Sequence, residues 1–206
     1  MPAAQRLTHF LSIPIPVAVR QRIGQLHAAF TSAGIPAAAV RPVATLHLTI
    51  AVMALESAER LAEARRTLAE LDAGRESILG LEAPVLTLRG LACLGPAARA
   101  RVVYAVPVGP DVARLQAMAE SVKAFFDARG LVADSRPVLL HVTVANSVYV
   151  RGRGRGGRPA MDVRGLLEGM NDYELLPASR LDRIELCKMG ELPDGRGYAV
   201  EEAIGL

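Results

Sequence analysis

Leu46-His47-Leu48-Thr49-Ile50 returns later in the chain as Leu140-His141-Val142-Thr143-Val144. One His-x-Thr in a half-buried strand is commonplace, so the weight rests on what surrounds the two copies. Ahead of the first, His9-Phe10-Leu11-Ser12-Ile13-Pro14-Ile15 has the pattern of a strand stopped by Pro16. Residues 17 to about 32 then suit a helix with Ile23, Leu26 and Phe30 on one face and Gly34 just past its end. Ahead of the second copy, Arg101-Val102-Val103-Tyr104-Ala105-Val106-Pro107-Val108 is again strand-like. Pro110 and Asp111 open a helix carrying Leu115, Met118, Val122, Phe125 and Phe126, and Gly130 ends it. An Arg-Pro-Val tripeptide precedes each histidine, and 31 positions separate Pro16 from His47 and Pro110 from His141. Strand, helix, Arg-Pro-Val and His-x-Thr in the same order mark an internal duplication. Residues 41–50 and 136–144 are expected to be its motif strands.

Outside the repeat, residues 57–74 form a charged helix with Leu61, Ala64, Leu68 and Leu71 as its buried stripe. Residues 82–94 suit a strand assigned to the first lobe. A short helix near 163–170 and strands at 183–189 and 198–204, turned by Gly195 and Gly197, close the chain. The 206 residues are 51% hydrophobic and 22% charged, enough for a core without disulfide staples. Aromatics are scarce at 4%, so that core rests on Leu, Val, Ile and Ala. Cys93 and Cys187 form no C-x-x-C pair and fit free thiols of a reducing compartment. The apolar start is short and broken by Pro14 and Pro16, and no stretch has the length of a membrane span. A soluble protein of the cytoplasm or nucleus is expected, with no membrane partner. The formal charge of +3 suits an anionic ligand without requiring one.

Alternation along a strand sends residues i and i+2 to one side, so His47 with Thr49 and His141 with Thr143 each face one way. Two lobes related by a pseudo-two-fold axis bring both pairs to one cleft. Such a set matches a phosphodiester. A neutral imidazole takes the proton of the attacking hydroxyl or water, and a protonated one supplies the leaving oxygen. The threonine hydroxyls donate to the non-bridging oxygens. A bell-shaped rate between roughly pH 5 and 8 would follow. No metal or cofactor is called for, and neither H-E-x-x-H, a Walker sequence nor a strand-linked G-x-G-x-x-G is present. His9 and His27 lack a threonine partner and are read as structural.

The paired motifs resemble the signatures of the 2H phosphoesterase superfamily, which includes RNA 2',3'-cyclic phosphodiesterases once named 2'-5' RNA ligases. Residues 8–15, 46–55, 141–149 and 184–190 are similar, in order, to the central domain of A-kinase anchoring proteins of the nuclear-localisation-signal type, and to the ligase-like domain of activating signal cointegrator 1 subunit 1. The resemblance implies an α+β, bilobal 2H phosphoesterase fold: two antiparallel sheets related by a pseudo-two-fold, helices outside and a nucleotide groove between. Residues 1–206 would be one bilobal domain, with lobes at about 8–95 and 100–206 and exchange of strands between them allowed. It carries over His47 and His141 as catalytic and Thr49 and Thr143 as substrate-binding. Animal relatives degrade 2',5'-linked oligoadenylate or bind mononucleotides, so RNA, oligonucleotides or nucleotides are the expected partners. Kinase anchoring resides in a helix outside that domain and does not carry over.

Weaker candidates complete the set. Tyr149, six positions past Thr143, would face the cleft by alternation and could stack a base. Arg136, like Arg41, could hold an anion, or each could simply start a strand before its proline. Phe10 is assigned to the core. Four arginines in the Arg-Gly stretch 151–158 could engage RNA phosphates, or the stretch could be a solvated loop. The rival readings are a non-catalytic nucleotide or RNA sensor and an interaction module of a larger RNA-processing complex. Symmetry on paper leaves open which histidine is acid and which is base.

Overall fold

The computed structural model describes residues 6–16, 18–19, 22–80, 82–150, 159–192 and 197–206. The duplicated segments begin with matching strands, β1 (His9–Pro14) and β4 (Val102–Val108). Each is followed by a helix, α1 (Ile23–Ser32) or α4 (Val112–Asp127). α1 starts later than its apolar spacing suggests. Ala18 and Val19 form a separate tight turn that buries Val19 completely. Both helices stop in the same way. Gly34 and Gly130 take positive φ (70° and 64°), and the next residue's amide reaches back to the last turn, Ile35 N–H to Phe30 O at 3.0 Å and Leu131 N–H to Phe126 O at 3.2 Å. Glycine makes this left-handed step without a Cβ penalty, and Ile35 and Leu131 fold back into the core.

The motif strands are shorter than expected. β2 (His47–Met53) begins at the first histidine, and β5 (Val142–Asn146) begins just after the second. Residues 41–46 and 136–141 are not strand. Pro42 and Pro137 have no N–H for a ladder. After Pro42 the chain turns through Val43–Thr45, where Thr45 Oγ1 donates to the Pro42 carbonyl at 2.7 Å.

Between the duplicated segments lie α2 (Ala58–Ala73), a one-turn helix α3 (Arg75–Ile78) and β3 (Val85–Leu94). Ser57 caps α2 by accepting from Arg60 N–H. After β5 come α5 (Arg164–Gly169), β6 (Glu174–Arg180), β7 (Arg183–Glu191) and β8 (Tyr198–Gly205). Among the described residues, β1 to β8 join one curled antiparallel sheet, ordered β6-β3-β4-β5-β2-β1-β7-β8. The α+β fold is therefore the expected one. Its two four-stranded halves mirror each other outward from the motif strands, and they meet where Leu48 pairs with Val142.

Strands cross between the duplicated segments. β3, expected in the first lobe, pairs with β4 and β6 in the second half. A short connection through Gly95 makes β3 and β4 an antiparallel hairpin, which outweighs membership of the earlier lobe. In return β7 pairs with β1 and β8 with β7, completing the first half. The helices contribute Leu26, Phe30, Leu68, Leu71, Leu115, Val122 and Phe126 to one hydrophobic cluster with Leu48, Ile50, Val142 and Val144. The opposite face of the motif strands is thereby left to the groove. No described helix is long and apolar enough to cross a membrane.

Candidate active site

Leu48 and Val142 are fully buried, so His47, Thr49, His141 and Thr143 project from the other face of the sheet. The antiparallel Leu48–Val142 pair sets His47 opposite Thr143 and Thr49 opposite His141. Directly opposed residues on one face have Cβ atoms about 4.5–5.5 Å apart, and diagonal ones about 7–8 Å. The four predicted residues thus share one small patch at the seam between the halves.

Both imidazoles are held alike. His47 Nδ1 lies 2.8 Å from the carbonyl of Thr45, and His141 Nδ1 lies 2.7 Å from the carbonyl of Leu139. A carbonyl can only accept, so in each neutral ring Nδ1 carries the proton and Nε2 keeps its lone pair for the groove. The irregular segments that replace the expected strands each bring a carbonyl two residues upstream back toward its histidine.

The surroundings of the two rings differ. Phe10, expected in the core, is buried but lies flat against His47, with centroids 4.9 Å apart and planes at 29°. Tyr198 meets His47 edge-on at 5.5 Å and Phe10 at 4.9 Å. Arg41 is buried beneath this group, its Nη2 2.5 Å from Glu191 Oε1 and 3.2 Å from Thr45 Oγ1, and its guanidinium 3.8 Å over the ring of Tyr149. Tyr104 touches His141 edge-on at 5.3 Å. Burial pushes His47 down to about 4, with the charges of Arg41 and His141 adding to the fall and the Thr45 carbonyl opposing it. The histidine nevertheless remains part-exposed.

Two adjoining cavities, of about 260 and 400 Å³, hold the site and share Thr49 and Val52. The first contains His47, Thr143, Arg41, Phe10, Tyr149 and Tyr198; the second contains His141, Lys123, Asp134 and Arg136. A larger cavity of about 890 Å³ lies between α1 and α5 and is lined by neither motif. Tyr149 enters the groove by a different route from the expected one. β5 ends at Asn146, whose Oδ1 accepts from Val148 N–H, and Tyr149 sits in the turn that follows. Arg136 points mostly to solvent, with its side chain 83% exposed, and grips Asp134 at 2.6 Å; that hydrogen bond holds the Asp134 carboxyl down to about 2.

His9 and His27 stay outside both cavities, as expected; His9 is buried with Nδ1 2.9 Å from Thr8 Oγ1. Cys93 and Cys187 are free thiols, and burial pushes that of Cys187 up to about 12. The Arg-Gly stretch 151–158 and Gly195 lie outside the described residues. Among the described residues, no three His, Cys, Asp or Glu side chains gather as a metal cluster. Sequence reasoning missed Phe10, Tyr198 and Tyr104 as neighbours of the histidines. The first and last are aromatic at corresponding places in the repeat, a signal that was available.

The family model described as the AKAP7 2'5' RNA ligase-like domain matches residues 7–206. Among solved structures, LigT of E. coli complexed with 3'-AMP is 22% identical, with 97% of this chain and 98% of that chain covered and a TM-score of 0.59. The protein TT0787 of Thermus thermophilus is 20% identical over 97% of both chains, with a TM-score of 0.59. Usb1 of Kluyveromyces marxianus is 13% identical over 100% of both, with a TM-score of 0.53. No curated protein matches the chain. At these identities the solved structures establish the likeness of fold.

Proposed function

The chain belongs to the family of the AKAP7 2'5' RNA ligase-like domain, within the 2H phosphoesterase superfamily, and on that premise we propose that it is a metal-independent phosphodiesterase of RNA or oligonucleotide linkages, with His47 as general base and His141 as general acid. The observation that carries this reading is the paired carbonyl hold on Nδ1, which keeps Nε2 of each ring as the lone-pair nitrogen, beside two adjoining cavities that share Thr49. The unequal surroundings of the rings divide the roles. His47, pushed down to about 4, is neutral at pH 7 and suited to accept a proton.

For a linear linkage, His47 Nε2 takes the proton of the ribose hydroxyl beside the phosphate. That oxygen attacks phosphorus, the bond to the departing 5'-oxygen breaks, and His141 Nε2–H protonates it, leaving a cyclic phosphate. For a cyclic phosphate, water takes the place of the hydroxyl and the ring oxygen is the leaving group. Thr49 and Thr143 donate to the non-bridging oxygens, where negative charge grows. Tyr149, backed by Arg41, offers an exposed ring on which a base can stack, and Arg136 lies where an outer phosphate would pass. LigT has been crystallised with 3'-AMP and with ATP, which favours nucleotides as the ligand class here too.

The test is a panel of 2',5'-linked and 3',5'-linked oligonucleotides and 2',3'-cyclic phosphates, with products resolved by mass. The expected result is turnover of at least one class, unaffected by EDTA because protein donors carry the proton transfers. Saturable nucleotide binding with no turnover of any substrate would overturn catalysis in favour of a sensor.

A further inference from the structure

The duplication reaches further than the motifs. His47 and His141 are 94 positions apart, and so are Phe10 and Tyr104. Each aromatic stands on the strand that opens its segment, and each touches the histidine of its own segment. Their contacts differ: Phe10 lies flat on His47 at 29°, whereas Tyr104 meets His141 at 72°. We propose that Phe10 and Tyr104 are paired positioning residues whose different packing, flat in one half and edge-to-face in the other, assigns the base role to His47 and the acid role to His141.

The physical argument is about what each ring covers. A flat aromatic removes water from one whole face of the imidazole, and the charged form loses more by this than the neutral form. Tyr198 of β8 closes another side of His47 edge-on. The charged groups around His47 push the same way: Arg41 is positive, although Glu191 of β7 partly answers it, and His141 across the groove disfavours a second charge. An edge-to-face neighbour covers less of the His141 ring than a flat one covers of His47. Around His141 stand Thr49 of β2, Lys123 of α4, and Asp134 and Arg136, which pair with each other. Asp134 and Arg136 offset each other and Lys123 leaves the surroundings net positive, so the difference between the two rings is carried by what their aromatic neighbours cover. Neither Phe10 nor Tyr104 needs to touch substrate for this; each acts through its histidine.

The inference rests on the acid–base reading above, and the test separates the two. In imidazole NMR titrations, Phe10→Leu should raise the His47 midpoint by roughly one unit. Tyr104→Leu, on the other ring, should leave the His47 midpoint where it is. Phe10→Tyr and Tyr104→Phe, which keep the rings, should restore wild-type midpoints and guard against a general loss of packing. In the rate profile, kcat/KM of Phe10→Leu should lose activity first on the acid side, whereas Tyr104→Leu should lower kcat without moving the acid side. A His47 midpoint that stays put in folded Phe10→Leu, or that moves equally in Tyr104→Leu, overturns the proposal whether or not turnover is found. Selective midpoints in a protein without turnover would leave the positioning intact and refute the phosphodiesterase reading alone.

Discussion

His47 needs its lone pair on Nε2, and this dictates how the site should respond to acid. Its proton affinity is lowered by burial to about 4, so the base stays neutral until the pH nears that value. The acid side of kcat/KM should therefore fall near pH 4 and not near the ordinary histidine value of about 6.5. An acid limb at about 6.5 in the free enzyme would contradict the burial argument. The same depression links to stability. The unfolded chain gains a proton below about 6.5 that folded His47 refuses, so its contribution is present above about 6.5 and drains as the pH falls toward 4. Replacing it by His47→Gln should flatten that part of the stability profile, read as the urea midpoint at a series of pH values. For turnover, His47→Ala and His141→Ala should each cost roughly 10²–10⁴-fold in kcat while ligand affinity changes little. Thr49→Ala and Thr143→Ala should cost less, since each removes one hydrogen bond to the transition state. Full activity without either histidine would dismiss the assignment.

Two glycines distinguish stability from activity at the scale of the elements. Gly90 sits where the β3 register shifts, at φ 75°, and an added Cβ would meet the Asn171 carbonyl at 2.5 Å. Gly197, at φ 104°, stands just before β8, where a Cβ would meet the Ala44 carbonyl at 2.6 Å. Strain of about 1–3 kcal/mol is expected from either alanine substitution. Gly90→Ala should lower the thermal midpoint and spare kcat, because β4 stands between β3 and the motif strands. Gly197→Ala presses on the turn whose Thr45 carbonyl holds His47, so kcat should fall as well; equal kinetics in both variants would refute that coupling. Elements also show how much was legible beforehand. The duplicated strand and helix order and the His-x-Thr pairs could be read because they repeat. β6 could not: it carries Pro177 and lies at the sheet edge, where proline is tolerated and the alternating pattern weakens. Tyr198 as a neighbour of His47 was hidden for another reason. Which side of an aromatic meets a histidine depends on strands brought together from opposite ends of the chain.

At the scale of the whole molecule, neither duplicated segment owns its half of the sheet. β3 belongs by sequence to the first segment and by hydrogen bonding to the second, while β7 and β8 make the opposite trade. Fragments 1–99 and 100–206 should therefore each lack strands that their sheets require. Expressed separately, neither should show a cooperative unfolding transition; mixed, they should recover one. Cooperative melting of either fragment alone would show that the crossing is dispensable.

The pairing of β1 with β7 gives this crossing a meaning for biosynthesis. As a ribosome extends the chain, β1 and β2 emerge early, yet one flank of β1 has no neighbour until β7 follows about 175 residues later. Contacts this distant in sequence close slowly. Phe10 is already made, but Tyr198, the other ring enclosing His47, arrives only with the start of β8. The first histidine would thus be made, and would wait while the residues between β2 and β8 are added, without the full enclosure that lowers its proton affinity.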